Sequence, residues 1–136
     1  MSLEVRTITA SDVPQWLSAL SVGFLHAPTV AEEEAEIRRA GLDLDRTQGA
    51  FDEGRCVATF RSMPRELTVP GGALVAADAI TNVSVSATHR RRGIAGRMMA
   101  NALTAAKERG DAPAVVESEA SADGTATCTL ASRRLW

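Results

Sequence analysis

Four arginines and two glycines crowd into one short stretch, Val83-Ser-Val-Ser-Ala-Thr-His-Arg-Arg-Arg-Gly-Ile-Ala-Gly-Arg97. Val83 and Val85 alternate as the end of a buried strand does. A loop then brings Arg90, Arg91, Arg92 and Gly93 to the start of a helix. Backbone N–H groups, a helix dipole and planar guanidinium forks are thereby aimed at one point, an arrangement that binds phosphate or pyrophosphate. A solvated basic turn is the plainer reading of three arginines. The two glycines and the helix start favour the anion site.

The elements that position this loop are marked on either side. Ile94, Ala95, Met98, Met99, Ala102, Leu103 and Ala106 fall on one helical stripe, with Arg97, Asn101, Lys107, Glu108 and Arg109 off it. Gly110 and then Pro113 end that helix. Ala114 to Val116 predicts a short strand parallel to the one before the loop. Upstream, Val5 to Ile8 predicts a first strand. Ser11, Asp12 and Pro14 signal a helix start. Val13, Trp16, Leu17, Leu20 and Phe24 share one face. A second helix is expected over Val30 to Ala40, acidic at its start, basic at its end, and closed by Gly41. Strands over Thr47 to Phe51 and Arg55 to Ser62 flank the turn Asp52-Glu-Gly54. Strands over Glu66 to Val69 and Ala73 to Val85 flank Pro70-Gly71-Gly72. The order β-α-α-β-β-β-α-β describes an α/β domain with a mixed sheet.

Composition narrows the classes. The chain has 136 residues, 45% hydrophobic and 24% charged, which suits one ordinary globular domain. No apolar run reaches the roughly 20 residues that span a bilayer, and no leader opens the chain, so a cytoplasmic protein without a membrane partner is expected. A net charge of −2 argues against a nucleic-acid partner and makes the arginine cluster a local device. Cys56 and Cys128 lack metal spacing, so no metal site is expected. Cys56 reads as a buried thiol. His89 reads as a loop or capping residue, and Glu32 to Glu36 as a solvated helix face.

On these residues the chain resembles the GCN5-related N-acetyltransferase (GNAT) superfamily. The acyl-CoA signature Arg/Gln-x-x-Gly-x-Gly/Ala is matched by Arg90-Arg91-Arg92-Gly93-Ile94-Ala95. Thr68-Val-Pro-Gly-Gly-Ala73, Val83-Ser-Val85, Thr88-His-Arg-Arg-Arg-Gly93 and Met98-Met99 resemble the Enhanced-intracellular-survival (Eis) branch in order and spacing. The resemblance covers residues 1–119 as a GNAT-like domain and leaves 120–136 as a divergent tail. It implies acetyl-CoA as cofactor, a small-molecule or lysine-type primary amine as acceptor, and a multimeric assembly. It implies a cofactor contact set of Val83, Ser84, Val85, Arg90, Arg91, Arg92, Gly93, Ile94, Ala95, Gly96, Ser118 and Glu119. The pantetheine arm would pair with the backbone around Val83 and Val85, and a shift of apolar parity between Ile80 and Val83 hints at a bulge there.

The tail departs from that pattern. Where the family resembles Ser-Glu-x-x-Ile-Tyr, this chain matches Ser118-Glu119 and continues Ala120-Ser-Ala-Asp-Gly-Thr-Ala-Thr-Cys128, and it holds no tyrosine anywhere. The proton donor implied by the resemblance is therefore absent, and no catalytic residue is assigned. Glu117 and Glu119 remain candidates to orient the amine. GC-rich codons for Ala122 to Cys128 can spell Gly-Arg-His-Gly-Tyr in a shifted frame, so a frame-disturbed, truncated form is one expectation and a natural short protein with a divergent tail is the other. The C-terminal strands of the fold should be missing or altered, exposing a sheet edge for a homo-oligomer. A non-catalytic acyl-CoA-binding module or a protein-interaction module is the alternative to an N-acetyltransferase.

Overall fold

The computed structural model describes residues 2–27, 31–118 and 127–130. Nine elements follow one another: β1 (Leu3–Thr7), α1 (Val13–Gly23), α2 (Glu32–Ala40), β2 (Thr47–Asp52), β3 (Arg55–Thr68), β4 (Leu74–Val85), α3 (Ile94–Arg109), β5 (Ala112–Ser118) and β6 (Thr127–Leu130). The strands form one sheet in the order β1-β2-β3-β4-β5-β6. β1 and β2 pair antiparallel, as do β2 and β3, whereas β4 and β5 are parallel. This is the mixed α/β arrangement the patterning predicts. No described helix is long and apolar enough to cross a membrane.

The chain divides into two compact units. The first comprises Met1–Arg61 with Asn82–Met99, the second Ser62–Thr81 with Ala100–Trp136. In the first, β2 is buried along Thr47–Phe51 and β3 along Val57–Phe60, without polar alternation. Strands buried on both faces read this way. Val13, Trp16, Leu17 and Leu20 of α1 pack with Ile8 and Phe51, and Phe24 lies partly buried against them. Gln48 ties this unit together. Its backbone carbonyl accepts the Trp16 indole N–H at 2.9 Å, and its amide Nε2 donates to the Met98 carbonyl at 2.9 Å. A single β2 residue therefore joins α1 to the first turns of α3.

A polar cluster closes the β1 end. Arg6 forks onto both oxygens of Asp12, at 2.7 and 3.2 Å, while its guanidinium lies 4.1 Å from the centre of the Phe51 ring. Asp12 also accepts the Thr9 N–H at 2.8 Å and the Thr9 hydroxyl at 2.9 Å. The Asp12 carboxylate therefore turns back to the preceding turn and does not cap α1, as its place in the sequence suggested. Arg6 first, and the Thr9 donors with it, hold the Asp12 carboxyl well below the usual carboxylate range against the opposing effect of burial.

In the second unit β4 pairs with β5 from Ala77↔Ala112 to Ile80↔Val116, with an irregularity after Ala77. That irregularity skips Pro113, which has no N–H to give the ladder. Asp78 is fully buried and receives Arg109 Nη2 at 3.3 Å, and Arg109 Nε reaches Asp111 at 3.2 Å. α3 ends as predicted at Gly110 (φ +77°), where the Gly110 and Asp111 N–H groups bond back to the Lys107 and Ala106 carbonyls.

Several boundaries differ from the sequence reading. Arg55–Ser62 and Glu66–Thr68 are parts of one continuous strand, β3. Arg65 and Glu66 lie exposed on it. α2 begins at Glu32, and Val30 lies outside the described residues. Gly41 ends α2 in the right-handed region (φ −88°), so its glycine freedom is not used. Residues 120–136 received no assignment, yet Thr127–Leu130 forms β6, antiparallel to β5 from Ser118↔Thr127 to Val115↔Leu130. The rest of that tail lies outside the described residues.

Two stability outcomes follow. Asp12→Asn should lower unfolding free energy at neutral pH by about 2 kcal/mol, the usual loss for a charge-assisted, part-buried pair. Because the folded-state carboxyl is depressed, its contribution is complete above the unfolded value near ~3.9 and fades as pH falls below it. Urea titrations at pH 7 and pH 3 should thus show the gap between wild type and variant closing in acid. Leu25 occupies the left-handed position after α1 (φ +61°), with the Leu25 and His26 N–H groups returning to Val22 and Ser21, and its side chain is 95% exposed. Leu25→Gly should raise stability by about 1 kcal/mol, as a glycine relieves that strain. A lower melting temperature would count against it.

Candidate functional site

The strand-to-helix turn after β4 holds the candidate anion site, and its geometry begins two residues before Ser84. Asn82 sits in the left-handed region at φ +54°, the single break in the extended run of β4 and the physical form of the parity shift seen in the sequence. The Asn82 carbonyl accepts the Thr59 hydroxyl at 2.8 Å. Thr59 has only that one proton, so the 2.7 Å contact between Thr59 Oγ1 and Ser84 Oγ is a bond donated by Ser84. Ser84 also presses on α1, because a Cβ at Gly23 would lie 2.6 Å from Ser84 Cβ and Oγ. The Ser84 hydroxyl is thus committed inward, and only its backbone remains for a ligand. Val83 and Val85 flank it, half-buried, and the register with β5 ends at Ile80, before them.

From Ser86 the chain leaves the sheet. The Ser86 N–H bonds to the Val57 carbonyl at 2.8 Å, and a short 3-10 turn covers Ala87–His89. His89 Nε2 lies 2.8 Å from Asp52 Oδ2 at the end of β2, and its Nδ1 lies 2.7 Å from Thr88 Oγ1. Arg90, Arg91, Arg92 and Gly93 follow, all exposed, with Arg91 at φ +65° and Gly93 at φ +75°. Ile94 is buried and anchors the helix start, and Met98 below it is fully buried. Ala95, read as part of the apolar stripe, is exposed with Gly96 and Arg97. The stripe begins at Ile94 but turns outward for the first turn, on the side of the arginine loop.

The first bond of the α3 ladder is Arg97 N–H to the Gly93 carbonyl, 3.0 Å. The N–H groups of Ile94, Ala95 and Gly96 therefore stand ahead of the ladder, as the first amides of any helix do. A Cβ at Gly93 or Gly96 would meet nothing within 4 Å, so open space adjoins these amides. The arginines leave this charge unbalanced. Arg90 Nε and Arg92 Nη2 make only long contacts, 3.4 Å to the Val85 carbonyl at the end of β4 and 3.5 Å to the Thr88 carbonyl of the loop. Among the described residues, neither Arg91 nor Arg97 makes a side-chain hydrogen bond or ion pair. Four exposed arginines therefore stand close in sequence to three helix-start amides that adjoin open space, and the residues fit a diphosphate in charge and in room.

Val83, Ser84, Val85 and Arg90 through Gly96 are brought together in the first unit. Ser118 ends β5 in the second unit, its backbone paired with Thr127, and Glu117 pairs with Cys128. Glu119 lies outside the described residues. Cys56 is a free, largely buried thiol whose pKa is pushed up to about 11 by burial, which makes it inert at neutral pH. Glu34 of the acidic helix bonds its own neighbour Arg38 at 2.6 Å on an exposed face, as a solvated helix surface does. The Asp52–His89 pair was not foreseen: His89 stood out only as a loop residue, and nothing in the spacing linked it to a position 37 residues earlier.

Comparison with known proteins bears on the family and the fold. The family model described as an acetyltransferase (GNAT) domain matches residues 4–120. An uncharacterized N-acetyltransferase of Streptomyces griseus is 64% identical over 111 residues, covering 82% of this chain and 27% of that protein. A relative of the same description from Streptomyces avermitilis is 57% identical over 114 residues, covering 84% of this chain and 27% of its own length. The chain thus spans little more than a quarter of the curated relatives it matches. Among solved structures, Eis1 from Mycobacterium abscessus superposes with a TM-score of 0.73 at 28% identity, over 88% of this chain and 29% of that one.

The left-handed Arg91 separates fold from binding. Arg91→Gly should leave the protein as stable as wild type, or more stable by up to about 1 kcal/mol, since relief of strain offsets glycine's entropy. Its affinity for inorganic pyrophosphate should nevertheless fall. A variant that melts several degrees lower would mean that the side chain holds the loop together.

Proposed function

The chain belongs to the acetyltransferase (GNAT) domain family, and we propose that it binds acetyl-CoA at the β4–α3 turn and transfers the acetyl group to a primary amine. The observation that carries this reading is the unneutralised arginine face over free helix-start amides, on a fold shared with an Eis-type acetyltransferase. In this reading the amides of Ile94, Ala95 and Gly96 hold the diphosphate, and Arg91 and Arg97 close on it as bidentate forks. The backbone of Val83 and Val85, past the end of the β5 register, lines up the peptide-like arm as an added strand would. A backbone N–H at Val83 polarises the acyl oxygen.

When bound, acetyl-CoA supplies an activated acyl group for attack by an amine. The chain has no tyrosine to protonate the departing sulfur. A thiol with a reference pKa near ~8.5 leaves tolerably as the anion, so transfer does not require a phenol. The acceptor amine, with a pKa near ~10, must shed a proton before attack, and Glu117 or Glu119 would serve there. The Eis-like branch, the cytoplasmic location and assembly of several copies through the sheet edge belong to the same proposal.

Calorimetric titration with acetyl-CoA tests it. Wild type should bind, and Arg91→Ala should bind about tenfold more weakly, the loss of one charge-assisted contact. Release of free CoA on adding a primary amine, followed with a thiol reagent, should accompany binding. Equal affinity in the variant would move the phosphates elsewhere, and binding without release would favour a non-catalytic module.

A further inference from the structure

We propose that Asp52 and His89 form a positioning pair that holds the arginine loop in its anion-binding shape, although neither residue reaches the anion itself. The inference rests on the acetyl-CoA reading above. Four hydroxyl, ring and carboxylate groups are strung in one line. Ser86 Oγ lies 3.1 Å from Thr88 Oγ1, Thr88 Oγ1 lies 2.7 Å from His89 Nδ1, and His89 Nε2 lies 2.8 Å from Asp52 Oδ2. An ionised carboxylate only accepts, so the proton of the last bond sits on Nε2. In its neutral form the ring accepts the Thr88 hydroxyl proton at Nδ1, and Thr88 then accepts from Ser86. Every polar atom of the ring has a partner, which fixes its rotamer and tautomer together.

The place of this line in the fold gives it its role. The His89 and Asp52 side chains are 14% and 18% exposed, so water competes weakly for their bond. Between the Ser86 N–H bond to Val57 and the buried Ile94, His89 makes the loop's one hydrogen bond to β2 among the described residues. The four residues after it are exposed, two of them in the left-handed region, and they carry three like charges. Such a segment does not hold one shape on its own: repulsion spreads the arginines, and left-handed Arg91 relaxes at the first chance. The imidazole clamps the loop at its first arginine, against the rigid β2–β3 hairpin. The phosphate-facing groups are thereby ordered before any anion arrives, which lowers the entropy lost on binding.

The experiment compares acetyl-CoA with S-acetyl-pantetheine, which has the same acyl arm and no phosphate. Affinities are measured on the full chain by calorimetry and ligand-observed NMR for wild type, His89→Ala, Asp52→Ala and the double variant, with circular dichroism to confirm folding. The single variants should each bind acetyl-CoA on the order of tenfold more weakly, as small misplacements of binding groups do. The double variant should be no worse than either single one, because both remove the same bond. S-acetyl-pantetheine should bind all four alike. His89→Gln, which returns an N–H toward Asp52, should recover part of the loss, and it carries the test if the alanine variants misfold. Unchanged acetyl-CoA affinity, additive losses, or parallel loss of both ligands would each overturn the pair's role while leaving the proposed function standing. Failure of wild type to bind acetyl-CoA would remove the proposed function, and this inference with it.

Discussion

Four guanidinium groups stand together at the start of α3, and the repulsion among them has to be borne by what lies beneath. The chain bears it with buried and part-buried bonds of fixed direction. Gln48 joins Trp16 to the Met98 carbonyl, Thr59 joins Asn82 to Ser84, and His89 reaches Asp52. Each joins an element beside the loop to β2 or β3, the strands of this unit with the longest buried runs. Apolar packing alone would secure Ile94 and Met98 but would leave direction open. Hydrogen bonds to single atoms set it.

The elements themselves were open to reading from sequence, because burial imposes period. The α1 face at Val13, Trp16, Leu17 and Leu20 is buried as its spacing requires, and so are Ile94, Met98, Ala102 and Ala106 of α3. Gly54, Gly71, Gly72 and Gly110 adopt positive φ where turns or a helix end were expected. The arginine-glycine turn was legible as a strand-to-helix connection, with Gly93 at positive φ just ahead of α3. Fold and family could be read this way because they rest on local pattern.

What escaped the sequence is pairing that no period sets. Arg6–Asp12, Asp78–Arg109 and Asp52–His89 pair charges whose partners no periodicity names. Asp12 looked like a helix cap because acids often stand there, yet a nearby arginine offered it stronger donors. Ala95 looked like core because its spacing is right, but the first turn of α3 faces the loop. β6 escaped because Thr127–Leu130 is too short, and too poor in large apolar residues, to show alternation. β3 escaped as one strand because a strand turns polar wherever its face meets water.

The arginine face also has a consequence in time. The chain as a whole carries −2, while one exposed loop concentrates positive charge, so its field is strongly lopsided. An approaching polyanion feels that lopsidedness within about 8–10 Å at ordinary salt and is turned before it touches. It would arrive with its charged end leading and its uncharged end trailing, so docking has a sequence: capture first, threading second. The rate of that capture, unlike the final affinity of the uncharged portion, would then be set by ionic strength.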